Sequence, residues 1–551
     1  MQKLILVLFL AIAAQAQAQK SKPSKQQAVA IAKKPKLVVG IVVDQMRWDY
    51  LYHFQDRYQP QGGFRRMLTQ GFSNENTFIP YKPTVTACGH ATVFTGSVPA
   101  IHGITGNAWW DYEKNKNMYC AEDKSVTTVG AANAAGEMSP RNMLTTTICD
   151  ELKLSTNFRS KVIGIAIKDR GGILPAGHSA DAAYWYDSRT GNWITSSYYM
   201  KELPSWVQQF NAKKWPDAYY AQGWSTLYPI ETYVQSTRDE NDYEGKPFGA
   251  DAKGFPYDLK KFIGKNYGTI ASTPHGNTMT RMLSQEAVLQ EQLGKDSITD
   301  FLTVSFSSPD YIGHSFGPNS IEVEDNYLRL DQDLGAFLDF LDQQVGKNEY
   351  LVFLTADHGV AHVPGFLTQH NIPAGTLDDG KLLADLNQQL KAKYGLEKLA
   401  LSTYNYQISL DREKIDSADL DMEDILDDVV KMVMKVRGVD RAFAMDELME
   451  QPMSAVVKER LANGYHPRRG GDVQMILKPA WIDGGETGTT HGLWNPYDSH
   501  IPLLWYGWGI RPGRSTEEVY MTDIAATVAA LLRIQMPNGC VGKPIKAILQ
   551  Q

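Results

Sequence analysis

Lys36 to Asp44 reads KLVVGIVVD, a near-continuous run of β-branched and apolar residues that ends on an acid. Strands covered on both faces look like this, because neither side of the pleat meets water. Four more runs have the same character: Lys161–Ile167 (KVIGIAI), Phe301–Phe306 (FLTVSF), Tyr350–Leu354 (YLVFL) and Ile501–Tyr506 (IPLLWY). Helical patterns lie between them at Gly63–Gln70, Thr86–Thr95, Asn142–Leu154, Glu322–Val345 and Thr522–Leu532. Strands alternating with helices predict an α/β fold with a mostly parallel central sheet flanked by helices. Ligands of such sheets gather at the carboxyl ends of the strands. Asp44 stands there, and so do Asp310, Asp357 and His358.

The 551-residue chain is long enough for one large core with insertions. Apolar residues make up 43% and charged residues 21%, as in ordinary globular proteins. A net charge of −7 argues against a nucleic-acid binder. Residues 1–18 read as a signal peptide: Lys3, an apolar run from Leu4 to Ala14, and small residues up to Ala18 for cleavage. Residues 19–35 read as a basic, flexible leader. These features predict an exported protein, periplasmic or secreted, without stable insertion in a membrane. Core segments are expected at 36–184, 265–380 and 469–551. A loop-rich insertion with many Tyr and Trp residues is expected at 185–264, and a small α+β cap at 381–468. The insertion's Trp185, Trp193, Tyr198, Tyr199, Tyr219 and Tyr220 suit either base and sugar stacking or an ordinary hairpin. In an oxidising compartment the four cysteines, Cys88, Cys120, Cys149 and Cys540, form up to two disulfides or remain buried thiols. Spacing does not choose between these. Oligomeric state is not readable either, with a monomer as the working expectation.

Asp310 and His314 stand in SPDYIGH, Asp357 and His358 in ADHG, and His491 in TTHG. If the Asp310 segment turns helically, Asp310 and His314 share a face. Singly each has an ordinary structural role, since an Asp at a strand end is usually a turn residue. Together with Asp44 they form a set of Asp and His ligands suited to Zn²⁺, enough for two neighbouring sites. Thr86, at the start of a helix after the Pro-marked loop Pro80–Pro83, is the candidate nucleophile. Its helix N-terminus suits an incoming phosphate. Thr84 competes for the role, and Thr86 as a simple N-cap is the bland alternative. Cys88 lacks the Pro-x-Arg that a sulfatase nucleophile needs. The remaining histidines receive no role, His362 being the nearest contender. Lys168 and Arg170, two apart at the end of KVIGIAI, are expected to share a strand face and meet one phosphate. Asn107 adds an amide donor.

The chain resembles the alkaline phosphatase superfamily, most of all its exported bacterial phosphatases of the PafA type. The resemblance rests on Val-Val-Asp44-Gln-Met, Thr86-Ala-Cys-Gly-His, His102-Gly-Ile-Thr-Gly-Asn107-x-Trp109, Lys168-Asp-Arg170, Asp310-x3-His314, Asp357-His358-Gly and Thr-His491-Gly. It implies one zinc held by Asp310, His314 and His491, and another held by Asp44, Asp357 and His358 with Thr86 beside it. It also implies the cap and the aromatic insertion. A third carboxylate set is not found, so no catalytic Mg²⁺ is expected. The function expected is hydrolysis of small phosphate monoesters through a phosphothreonine. The Lys168/Arg170 pair favours monoesters, because diesterase relatives use the same metal ligands without it. A diesterase of the nucleotide pyrophosphatase kind is the second reading, and a non-catalytic zinc-containing binding protein the third.

Overall fold

Seven buried residues, Leu37–Val43, form the middle strand of an eleven-stranded sheet. Each buried Val, Leu or Ile of that run contributes about 1.5–3 kcal/mol. In this computed structural model, which describes residues 33–550, the strand pairs in parallel with Asp300–Phe306 on one side and Tyr350–Thr355 on the other. The predicted signal peptide and residues 19–32 lie outside the described residues. Val162–Ala166 and Ala182–Asp187 extend the parallel set beyond Asp300–Phe306. Asn192–Ser196 and Thr128–Val129 close that edge antiparallel. Beyond Tyr350–Thr355 come Leu503–Gly507, Phe72–Phe78 and His500–Ile501, with Gly513–Tyr520 alongside Phe72–Phe78. The α/β expectation with a mostly parallel sheet holds.

Three details differ from the sequence reading. The Ile501–Tyr506 run is not one parallel strand: Pro502, which has no amide to donate, splits it, and both pieces pair antiparallel. Phe72–Phe78 (FSNENTF) is a sheet strand that hydrophobic pattern does not reveal. Two of its buried side chains, Asn74 and Glu75, accept from distant donors. Trp505 Nε1 donates to Asn74 at 3.1 Å, while Trp48 Nε1 and Tyr52 Oη donate to Glu75 at 3.1 and 2.6 Å. The segment boundaries also move. Trp185 and Trp193 lie in the central sheet with their rings buried, so the loop-rich segment begins after Ser196. They are core side chains rather than a stacking platform.

The cap is a four-stranded sheet in the order Ala400–Ser402, Gln407–Leu410, Val473–Leu477, Val439–Ala444. Asp379–Tyr394 and Met422–Val433 supply its helices, and buried Leu386, Leu390, Ile408, Ile425, Val429 and Met475 fill its separate core. Val473–Leu477 is the strand that Gln407–Leu410 and Val439–Ala444 both pair with, so the cap runs past residue 468.

Helices Gly63–Gln70 and Thr86–Thr95 have the expected limits. The expected Asn142–Leu154 helix starts only at Ile148, where Thr147 and Asp150 form a reciprocal capping box. All four cysteines are free thiols. Burial raises the Cys120 thiol to about 12 and those of Cys88 and Cys149 well above the ordinary range, so they are chemically quiet. No helix among the described residues is long and apolar enough to cross a membrane.

Candidate active site

The site lies at the carboxyl ends of the central parallel strands. Asp44 follows Val43 directly, and its amide donates to Phe306 O at 3.1 Å. The chain leaving Phe306 enters the helix Ser308–Phe316, which carries Asp310 in its first turn and His314 one turn later. The helical turn that the Asp310/His314 pairing needs is therefore present, and Asp310 Oδ1 lies 3.2 Å from His314 Nε2. Asp357 and His358 leave the neighbouring strand Tyr350–Thr355. His491 arrives on a loop from the cap side, with Nε2 3.5 Å from Asp310 Oδ1. His358 Nε2 lies 3.6 Å from Asp44 Oδ1 and 3.4 Å from Asp357 Oδ2. The rings of His358 and His491 stack with centroids 3.5 Å apart, so the two groups abut. Residues hundreds of positions apart thus converge as the pattern of strand ends predicts.

The geometry fits divalent cations. His314, His358 and His491 each set Nδ1 against a backbone carbonyl: Thr489 O at 2.7 Å, Gly359 O at 2.9 Å and Thr84 O at 2.7 Å. A carbonyl only accepts, so Nδ1 holds a proton; Nε2 of His358 and His491 then presents a free lone pair, whereas at His314 burial is outweighed by Asp310, which raises it. Such carbonyl contacts are how protein scaffolds orient metal-ligating histidines. Burial pushes His358 down to about 3 and lowers His491, which keeps both neutral. Asp44 Oδ1 and Asp357 Oδ2 are buried without a hydrogen-bond partner, which is costly unless a cation meets them. Among the described residues two ligand groups are tight enough to hold an ion: Asp44–Asp357–His358, and Asp310–His358–His491. The first is the trio that the family resemblance implies. The second places His358 where the resemblance places His314, although His314 stays in contact with Asp310.

Charge inside the site is strongly coupled. Burial and the Asp357 charge raise Asp44 well above the usual carboxylate range, against the pull of Lys168. For Asp310 burial acts in the same direction, but His314 and Lys168 outweigh it and hold the group low. Lys168 Nζ lies 2.8 Å from Asp44 Oδ2 and 2.5 Å from Asp310 Oδ2, bridging the two acid groups.

Thr86 is the first residue of its helix, with Val85 at the N-cap position. Its hydroxyl is therefore not used as a cap. Oγ1 lies 3.4 Å from His358 Nε2 and 3.4 Å from Lys168 Nζ. Thr84, the competitor, donates its hydroxyl to Leu493 O at 2.6 Å and faces away from this chemistry. Asn107 Oδ1 accepts from the Ala87 amide at 2.9 Å, which fixes the side chain beside Thr86. The helix can approach the ligands this closely because residue 89 is glycine. A Cβ there would lie 2.3 Å from Asp357 O.

Lys168 and Arg170 do not alternate on a strand. The strand ends at Ala166, Lys168 occupies the N-cap position of the helix Asp169–Ala176, and Arg170 lies inside its first turn. Both line one cavity of about 440 Å³. Arg170 Nη1 donates to Tyr119 Oη at 3.1 Å, and Tyr119 donates to Asp169 Oδ1 at 2.5 Å.

Two positioning residues are absent from the sequence reading. Gln45, at φ 68°, donates its backbone amide to Asp357 Oδ1 at 3.1 Å and its Nε2 to Asp310 Oδ1 at 2.9 Å, tying one ligand group to the other. Adjacency to Asp44 is the one signal it gives in sequence. His90 Nδ1 donates to Thr86 O at 2.9 Å and lies 3.2 Å from Asp357 Oδ2, and its Nε2 lies 2.8 Å from Ser305 Oγ. Its position one turn after Thr86 on the same helix is the available clue. His362 contacts Arg47 and Asn319 instead of the ligand groups.

This fold and this site define a member of the alkaline phosphatase superfamily. Residues 38–498 match the family described as type I phosphodiesterase / nucleotide pyrophosphatase, and the chain belongs to it. Within it, the chain is 50% identical over 517 residues to the alkaline phosphatase PhoV of Synechococcus elongatus, covering 94% of this chain and 93% of that one. It is 49% identical over 520 residues to the alkaline phosphatase PafA of Elizabethkingia meningoseptica, covering 94% and 95%. A Myroides odoratus protein named a calcium-transporting ATPase is 52% identical over 524 residues, covering 94% and 95%. The crystal structure of wild-type PafA superposes with a TM-score of 0.91 at 49% identity, covering 93% of this chain and 98% of that one.

Proposed function

We propose that this protein is an exported zinc-dependent alkaline phosphatase that hydrolyses small phosphate monoesters through a phosphothreonine at Thr86. One observation carries the reading. The Thr86 hydroxyl, free of any capping duty, lies 3.4 Å from both His358 Nε2 and Lys168 Nζ at a helix N-terminus. Asp44, Asp357 and His358 would hold one zinc ion and Asp310, His314 and His491 a second, and such ions would supply Lewis-acid charge to phosphoryl transfer at this site. Thr86 Oγ1 attacks phosphorus as the ester oxygen departs on the opposite side, and water then cleaves the phosphothreonine. Lys168, Arg170 and the Asn107 amide meet the non-bridging oxygens, where charge must be stabilised. The positive end of the Thr86 helix dipole adds to that field.

The cation pair supports a monoesterase over a diesterase. A monoester brings two negative charges to Lys168 and Arg170, whereas a diester brings one and needs room for a second substituent. Export rests on the N-terminal sequence pattern of residues 1–18. The relatives named alkaline phosphatases support the assignment over a binding protein with structural zinc.

Zinc-loaded protein is expected to turn over p-nitrophenyl phosphate. Treatment with a chelator followed by desalting should abolish turnover, and added Zn²⁺ should restore it. Turnover that survives verified zinc removal, or zinc-loaded protein that has none, contradicts the proposal.

A further inference from the structure

A cavity of about 230 Å³ opens between the metal-ligand histidines and the cap. His314, His491 and Asn107 form its floor, and Tyr404, Tyr406, Asp379 and Asp483 stand among the cap residues above them. We propose that this cavity receives the departing alcohol and selects small alcohols that carry a positive charge. The inference rests on the phosphomonoesterase reading and adds the leaving-group class to it.

In-line displacement fixes the direction of departure. With phosphorus held at Thr86, the ester oxygen leaves away from the threonine. On the proposed reading the leaving oxygen faces Asp310, His314 and His491, and both of these histidines line this cavity. Lys168 and Arg170 line the other one. The volume is below the roughly 300–1,000 Å³ of pockets that bury drug-sized ligands, so the alcohol is small.

Topology brings two carboxylates to the same rim. Gly375–Leu377 pairs in parallel with Trp481–Asp483, with Leu377 opposite Asp483, and Asp379 follows two residues on. Thr403 Oγ1 is 3.5 Å from Asp379 Oδ2, and the Asp483 amide donates to Tyr406 Oη at 3.4 Å. Tyr406 holds this place at φ 58°, a left-handed conformation that costs a bulky residue about 1–3 kcal/mol. The rim is anionic: among the described residues lining the cavity there is no lysine or arginine. Lys82 lies just outside, with Nζ on Asn405 O at 2.8 Å and 5.1 Å from the Tyr406 ring centre. Burial lowers it to about 7, so at alkaline pH it does not offset the acids. Burial, then Asp379, raise Asp483 to about 6, which leaves it ionised under the same conditions. A fixed cation at the rim relieves the repulsion between the two carboxylates, and an anionic alcohol adds to it.

The test compares choline phosphate with its uncharged isostere 3,3-dimethylbutyl phosphate, which differs by carbon in place of nitrogen. The ratio of their kcat/KM values is measured in zinc-loaded wild type, in the double variant Asp379→Asn/Asp483→Asn and in Tyr404→Arg. Tyr404 is 38% exposed, so the arginine adds charge at the rim without repacking the core. The ratio is expected to fall about tenfold in the double variant, the size of charge interactions across a partly solvated rim, and to fall in Tyr404→Arg as well. A ratio unchanged within about twofold in both variants overturns the pocket assignment. A wild type that hydrolyses p-nitrophenyl phosphate but neither alkyl ester also overturns it. Failure on all three esters overturns the underlying phosphatase reading and the pocket with it.

Discussion

Thr86→Ala is expected to lower kcat/KM for p-nitrophenyl phosphate by about 10⁴-fold or more, the usual size of losing a covalent nucleophile. Thr86→Ser, which keeps a hydroxyl at the same place, is expected to stay within about a hundredfold of wild type. The contrast follows from how the hydroxyl is used. Val85 occupies the N-cap position, and the Ala87 amide is capped by Asn107, so the helix keeps its cap when the hydroxyl is removed. Stability by denaturant unfolding should therefore change by no more than about 1 kcal/mol. Acid-quenched wild type should carry phosphate on Thr86, and the alanine variant should carry none. An alanine variant within tenfold of wild type would mean that water attacks phosphorus directly, and the threonine would lose its role.

Lys168→Ala and Arg170→Ala are expected to separate two classes of ester. For a monoester kcat/KM should fall about 10²–10³-fold in each variant, the usual cost of one lost donor to developing charge. For methyl p-nitrophenyl phosphate, with one negative charge, the loss should be about tenfold or less. Lys168 has the larger structural burden, because its ammonium also bridges Asp44 and Asp310 at 2.8 and 2.5 Å. Its removal leaves two buried carboxylates facing one another with less compensation, so tighter zinc dependence should accompany the kinetic defect. Arg170 has no such duty towards the ligand groups: its guanidinium donates to Tyr119 Oη at 3.1 Å. It therefore gives the cleaner kinetic reading. Equal losses on monoester and diester in the Arg170 variant would contradict the discrimination assigned to the pair.

What sequence made legible follows from where burial is two-sided and local. Leu37–Val43, Asp300–Phe306 and Tyr350–Thr355 are covered on both faces, so their apolar runs announce them. The acids and histidines after them stand out because a polar residue at such an edge has few structural uses. Phe72–Phe78 is not legible: its Asn74 Oδ1 and Glu75 carboxylate accept from Trp505, Trp48 and Tyr52, partners that no local pattern identifies. Lys168 and Arg170 line one cavity, but not by the strand geometry that their spacing predicts. A helix beginning at Asp169 rather than a continuing strand aligns them. Gln45 and His90 escaped because their work is to hold other ligands in place, and such a role has no composition signature. The cap's strand Val473–Leu477 lies outside the expected 381–468 because it completes the cap sheet from the sequence beyond.

Zinc-edge anomalous diffraction from crystals of the zinc-loaded protein tests the central claim most directly, because it locates the metals independently of any assay. The account predicts two peaks. One should lie about 2.0–2.2 Å from ligand atoms of Asp44, Asp357 and His358, the other at the same range from Asp310, His314 and His491, with Thr86 Oγ1 next to the first. A single peak, zinc bound elsewhere, or a Thr86 oxygen out of reach of both ions would contradict it.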